Sequence, residues 1–128
     1  MDDAALQAEK AALRRALRAE RKEAQEAAPD AALRLTETFP LELARLSPVA
    51  GYWPVGSEID PRVLMGALAR TGAEVALPRM ASKQGPAQYL VWRAGDALRP
   101  DAFGVPSPPE GSPEVTPRLI LVPLLGFD

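Results

Sequence analysis

The chain of 128 residues contains neither cysteine nor histidine. Without cysteine there are no disulfides, no zinc thiolate sites and no thiol nucleophile. Without histidine, the commonest general base and the commonest transition-metal ligand are missing as well. Any chemistry must fall to carboxylates, Lys, Arg, Ser or Tyr, or to the substrates themselves. There is no basic excess either: a net charge of −2 and a pI near 5.2 argue against a nucleic-acid partner held by a basic surface. No apolar run approaches the length of a membrane span, so no membrane partner is expected. The opening MDDAALQAEK is acidic and lacks the apolar centre of a signal peptide. The expectation is a cytoplasmic protein.

What remains is an ordinary globular composition, 47% apolar and 25% charged, which suits one domain over residues 1–128. Residues 3–28 hold Ala, Leu, Glu, Lys, Arg and Gln without Gly or Pro, which predicts a long amino-terminal helix. Leu6, Leu13 and Leu17 mark an apolar stripe expected to pack inward. Lys10 falls on the same stripe, and Arg14 follows one turn later. A second helix should start at Asp30, carry Leu33 and Leu35, and break at Pro40, with a short helical piece through Leu46.

Val49 to Trp53 reads as a strand. Asp60-Pro61 signals a helix start, Leu64, Met65 and Leu68 its buried face, and Gly72 its stop. Glu74 to Leu77 is a strand closed by Pro78, and Tyr89 to Arg93 another. Gly95 to Pro117 reads as a long loop, and Leu119 to Leu125 as a continuous apolar run of the central-strand type. The order strand, helix, strand with tight connections predicts an α/β fold with a mainly parallel sheet.

The segment GYWPVGSEID, residues 51–60, joins the adjacent aromatics Tyr52 and Trp53 to a loop ending in Glu58 and Asp60. Such a strand end suits delivery of a flat ligand to a carboxylate. Together with Lys10-Ala-Ala-Leu-Arg14 and Arg21, this segment resembles the 5-formyltetrahydrofolate cyclo-ligase (5,10-methenyltetrahydrofolate synthetase) family, whose patterns are K-x-x-L-R and Y-x-P-x-x-x-E-x-D. Leu77-Pro-Arg79, Trp92 with Gly95-Asp96, Phe103-Gly104 and Val122-Pro-Leu-Leu-Gly-Phe-Asp128 follow in the family's order. The ordered combination is specific, whereas K-x-x-L-R alone is not.

The resemblance implies a three-layer, Rossmann-like domain and an ATP- and Mg2+-dependent conversion of 5-formyltetrahydrofolate to 5,10-methenyltetrahydrofolate. It implies ATP binding at Lys10, Ala11, Ala12, Leu13 and Arg14, and substrate binding at Trp53 and Glu58. It assigns no catalytic base and no metal ligand in this chain, and it implies a monomer when complete. ATP would phosphorylate the formyl oxygen, and the substrate's own N10 would close the ring, which suits a protein without histidine. Two departures stand out. Val105-Pro106 is followed by Ser107-Pro108-Pro109 where the family has Glu-Pro, and the glycine-rich nucleotide loop that follows the family's Phe-Asp pair has no counterpart here. The chain is therefore expected to be the amino-terminal portion of such an enzyme.

Each residue also has a plainer reading. Lys10 and Arg14 are solvated helix charges on that reading, and Trp53 is core. Glu58 is a surface carboxylate beside a helix start. Asp60 is a helix cap, and Arg79 is either an oxyanion ligand or a rim charge. A non-catalytic folate- or nucleotide-binding paralogue is the alternative function, and a purely structural domain a third.

Overall fold

The structure is a computed structural model and describes residues 2–124. Helix α1 spans Asp3–Ala27 and is capped by Asp2, whose Oδ1 accepts from the Ala5 N–H at 2.7 Å. Its composition favours the helix intrinsically, so it forms without a packed face. That corrects one expectation. No residue of α1 is buried, Leu6 and Leu13 are exposed, and Leu17 is only half-buried. A leucine stripe interrupted by Lys10 and Arg14 is too polar to hold a third layer against the sheet.

Helix α2, Ala31–Thr38, leads through Pro40 into a 3₁₀ segment, Leu41–Leu46. Asp30 stands at the N-cap position but makes no cap bond; its carboxylate lies 3.4 Å from Arg34 instead. Strand β1 is Val49–Ala50, followed by α3 at Arg62–Arg70 and β2 at Val75–Arg79. Strand β3 is Gln88–Val91, β4 is Arg99–Pro100, β5 is Pro106–Ser107 and β6 is Leu119–Ile120. The expected long loop from Gly95 thus contains a short antiparallel pair, β4 with β5. Asp101 organises it: its carboxylate accepts from the N–H groups of Met80, Phe103 and Val105.

The main sheet has the order β3-β2-β1-β6. β1 runs parallel to both β2 and β6, whereas β2 and β3 are antiparallel, so the sheet is mixed. Pro78 does not close β2 as expected. It pairs with Tyr89 beyond Ala76, where the β1 ladder has already ended, so its missing N–H leaves no gap in the parallel ladder. The run from Leu119 is not central either. Among the described residues β6 lies at the sheet edge, with Ile120, Val122 and Leu124 exposed, while Leu125 to Asp128 lie outside them. The opposite edge is covered, because Val91 N–H donates to Pro113 and Val115 N–H to Tyr89.

Helix α3 organises the core. Leu64 and Leu68 pack with Ala44, Val49 and Ala73, and Met65 packs with Val75 and Leu77. Gly51 lets the strand meet α3 closely here, since a Cβ there would overlap the buried Met65 thioether and force it to shift. The turn at Gly72 has φ +100°, which ends α3 where the glycine predicted. No helix among the described residues is long and apolar enough to cross a membrane.

Candidate functional site

The segment leaving β1 folds back on itself. Gly51 N–H still reaches the Ala76 carbonyl at 2.9 Å, after which the chain turns away from the sheet. The buried Tyr52 donates its hydroxyl to the Ile59 carbonyl at 2.6 Å. Burial pushes the Tyr52 phenol up to about 12, helped by the negative charges of Glu58 and Asp60 and opposed by Arg21. It therefore acts as a neutral donor. Within this clasp, Glu58 Oε1 accepts from the Val55 N–H at 2.8 Å, and Gly56 adopts φ +60°, the left-handed region that glycine tolerates. Arg21 Nε donates to Ser57 Oγ at 2.8 Å and fastens α1 to the loop.

Asp60 holds the start of α3 from one residue before the N-cap position, which Pro61 occupies without a side-chain cap bond. Its Oδ1 accepts from the Arg62 N–H at 2.9 Å, and both carboxylate oxygens take the Arg62 guanidinium, down to 2.7 Å. Hydrogen bonding from Arg62 lowers the Asp60 pKa. The same guanidinium lies 4.7 Å over the Trp53 ring, and Trp92 meets Trp53 edge-on with centroids 6.1 Å apart. Trp53 is half-buried against Met65, Val75 and Leu77.

The structure gathers Trp53 and Glu58 in one loop but does not bring Lys10 and Arg14 to them. Both cations are exposed, as are Ala12 and Leu13, while Ala11 is half-buried. A rise of 1.5 Å per residue puts Arg14 about 10 Å, and Lys10 about 16 Å, along the axis from the tethered Arg21. At 100° per residue, Lys10, Arg14 and Arg21 fall within roughly 40° of one face. They share a direction, not a contact. Arg79 donates Nη1 to Gln88 Oε1 at 3.0 Å, across the β2–β3 pair.

Two hollows adjoin the loop. One of about 520 Å³ lies between the carboxyl half of α1, the start of α2 and residues Ser57, Ile59 and Asp60, with Leu124 at its wall. It sits past the carboxyl ends of β1 and β6, the usual ligand edge of an open α/β sheet. A second of about 440 Å³ is walled by Arg18, Arg21, Lys22, Gln25 and Val55 to Ser57. Neither Trp53 nor Glu58 lines them. Another hollow, about 510 Å³, lies at the far end beside Glu74, Val75 and Trp92. Sequence reasoning noted Arg21 but not its Ser57 partner; the Gly56-Ser57 turn was the available signal. Among the described residues no cluster of three or more carboxylates is placed to hold a metal.

No family model matches the chain, and no curated protein matches it. Among solved structures, it is similar to the NMR structure of Aquifex aeolicus 5,10-methenyltetrahydrofolate synthetase, with a TM-score of 0.68 and 24% identity. The two share a fold. The match covers 93% of this chain but 62% of that synthetase, so the chain spans about three fifths of its length. Of the fold implied by the sequence resemblance, the α/β architecture and the long amino-terminal helix are found, with a mixed sheet in place of a mainly parallel one.

Proposed function

We propose that the chain serves the ATP-dependent conversion of 5-formyltetrahydrofolate to 5,10-methenyltetrahydrofolate, with release of ADP and phosphate. The observation that carries this reading is the fold shared with a 5,10-methenyltetrahydrofolate synthetase over 93% of the chain. The ordered sequence patches from Lys10 to Val122, which resemble the family's in kind and order, support it.

In the proposed reaction the formyl oxygen attacks the γ-phosphorus of ATP, giving an iminophosphate and ADP. N10 of the substrate then bonds to the formyl carbon, and phosphate leaves with the former formyl oxygen and takes up the N10 proton. No protein nucleophile is needed; the protein contributes proximity and charge. Glu58 spends Oε1 on Val55, and Oε2 remains to accept N–H groups of a pterin. Trp53, with Arg62 over one part of its ring, is assigned to the pterin through the part that stays exposed. Lys10 and Arg14, one turn apart, are assigned to ATP phosphates. Mg2+ is assigned to the nucleotide, since the described residues offer it no carboxylate cage and the ion is commonly bound through substrate phosphates. A monomer working in the cytoplasm completes the reading.

The test mixes the 128-residue chain with 5-formyltetrahydrofolate and MgATP and follows the methenyl chromophore, with folate binding titrated separately. Chromophore formation that needs both substrates supports the reading. Saturable folate binding without chromophore supports a binding role without turnover for these 128 residues, and absence of both supports a structural domain.

A further inference from the structure

Arg18, Arg21 and Lys22 face the Val55-Gly56-Ser57 turn across the hollow of about 440 Å³, and no carboxylate belongs to its wall. None of the three cations forms an ion pair among the described residues, where only Arg34 and Arg62 do. Arg18 and Lys22 are one helical turn apart, so their like charges oppose α1. No carboxylate is ion-paired with either among the described residues, and Glu26, one turn beyond Lys22, is not part of the cleft wall. Arg21 is held in place by donating Nε to Ser57, which leaves its terminal nitrogens free to donate. Ser57 Oγ accepts that bond and keeps its own O–H available. The Gly56 and Ser57 N–H groups have no acceptor among the described residues, and Gly56 sits at φ +60°. Successive free N–H groups at a left-handed turn are a recurring anion cradle.

We propose that this cleft between α1 and the 55–57 turn is an oxyanion site, taking the phosphate or carboxylate groups of a ligand. Arg14 and Lys10 continue the line of Arg21 along α1, Lys10 lying about 80° around the helix from Arg18 and about 120° from Lys22, so a ligand bearing several such groups in a row can extend from the Arg21 side of the cleft. The site stands on its own geometry. Both ligands of the proposed reaction carry suitable groups, the phosphates of ATP and the glutamyl carboxylates of the folate.

The experiment titrates the 128-residue chain calorimetrically, at low ionic strength, with inorganic tripolyphosphate and separately with tri-γ-glutamate. Neither probe contains a pterin or a purine, so failure here and failure of the proposed reaction are distinguishable. The parent should bind at least one probe saturably, and Arg18→Gln with Lys22→Gln should weaken that binding by about tenfold or more. Both side chains are exposed, so the melting temperature should hold. Arg45→Gln with Lys83→Gln removes the same charge from exposed positions elsewhere and should leave affinity unchanged. The probe that responds names the source, phosphate or carboxylate. Absence of saturable binding to either probe, or equal loss in both double variants, overturns the site.

Discussion

The guanidinium of Arg62 lies 4.7 Å over the ring of Trp53 while holding both carboxylate oxygens of Asp60. One side chain therefore ties the loop's aromatic to the start of α3. Arg62→Ala should cost about 1 kcal/mol in urea unfolding, from a partly exposed cation–π contact and a largely solvated ion pair. Arg62→Lys should recover only part of it, because an ammonium cannot pair as a planar fork.

Glu58 supports two roles that its variants separate. In Glu58→Gln the amide oxygen still accepts from Val55, so the loop and the melting temperature should hold. Affinity for 5-formyltetrahydrofolate should fall about tenfold or more if a charged acceptor worth ~1.5–3 kcal/mol is lost. In Glu58→Ala both should fall. Unchanged folate binding in Glu58→Gln would leave Glu58 with its loop role alone.

Tyr52 gives the fold an alkaline limit. Its folded pKa of about 12 lies above the ordinary 10, so the unfolded chain releases the proton first. The stability contributed is complete below about pH 10 and is lost as pH climbs through about 12. Tyr52→Phe should be less stable at pH 7 by about 0.5–1.5 kcal/mol, for the lost bond to Ile59. The gap between parent and variant should shrink across that alkaline window, as read from denaturant midpoints.

Gly51→Ala should destabilise by about 1–3 kcal/mol, because the new methyl overlaps the side chain of Met65 in a filled core. Adding Met65→Ala should make the second change less costly than it is alone. Strict additivity in a double-mutant cycle would deny the contact.

Asp101→Ala strands three N–H groups, those of Met80, Phe103 and Val105. Hydrogen exchange should accelerate at these amides, and stability should drop about 1–3 kcal/mol. Protection unchanged from the parent would show that another acceptor replaces the carboxylate.

Local signals proved the most legible. The long helix, the helix start at Asp60-Pro61, the α3 face through Leu64, Met65 and Leu68, and the stop at Gly72 all follow from propensity and turn chemistry near in sequence. Pairing was less legible, since nothing in Tyr89 to Arg93 states that its neighbour runs antiparallel. The apolar run from Leu119 reads as central, yet edge and centre differ only in what lies alongside. Leu6 and Leu13 have helical spacing without a surface to meet. The loop after β1 was placed, but the Glu58–Val55 and Arg21–Ser57 bonds depend on how it turns. Asp101 lies in a stretch rich in proline and glycine, where its three acceptor bonds leave no periodic trace.

The bond from Arg21 to Ser57 makes α1 a lever. With no buried side chain elsewhere along its 25 residues, the helix is steered by its hold on a turn that includes a left-handed glycine. Lys10 lies about 16 Å from that fulcrum, so a tilt of roughly 10° swings its backbone by about 3 Å. A ligand that shifts this bonded pair would therefore aim the far cations as well. Occupancy at the hinge would set the reach at the tip.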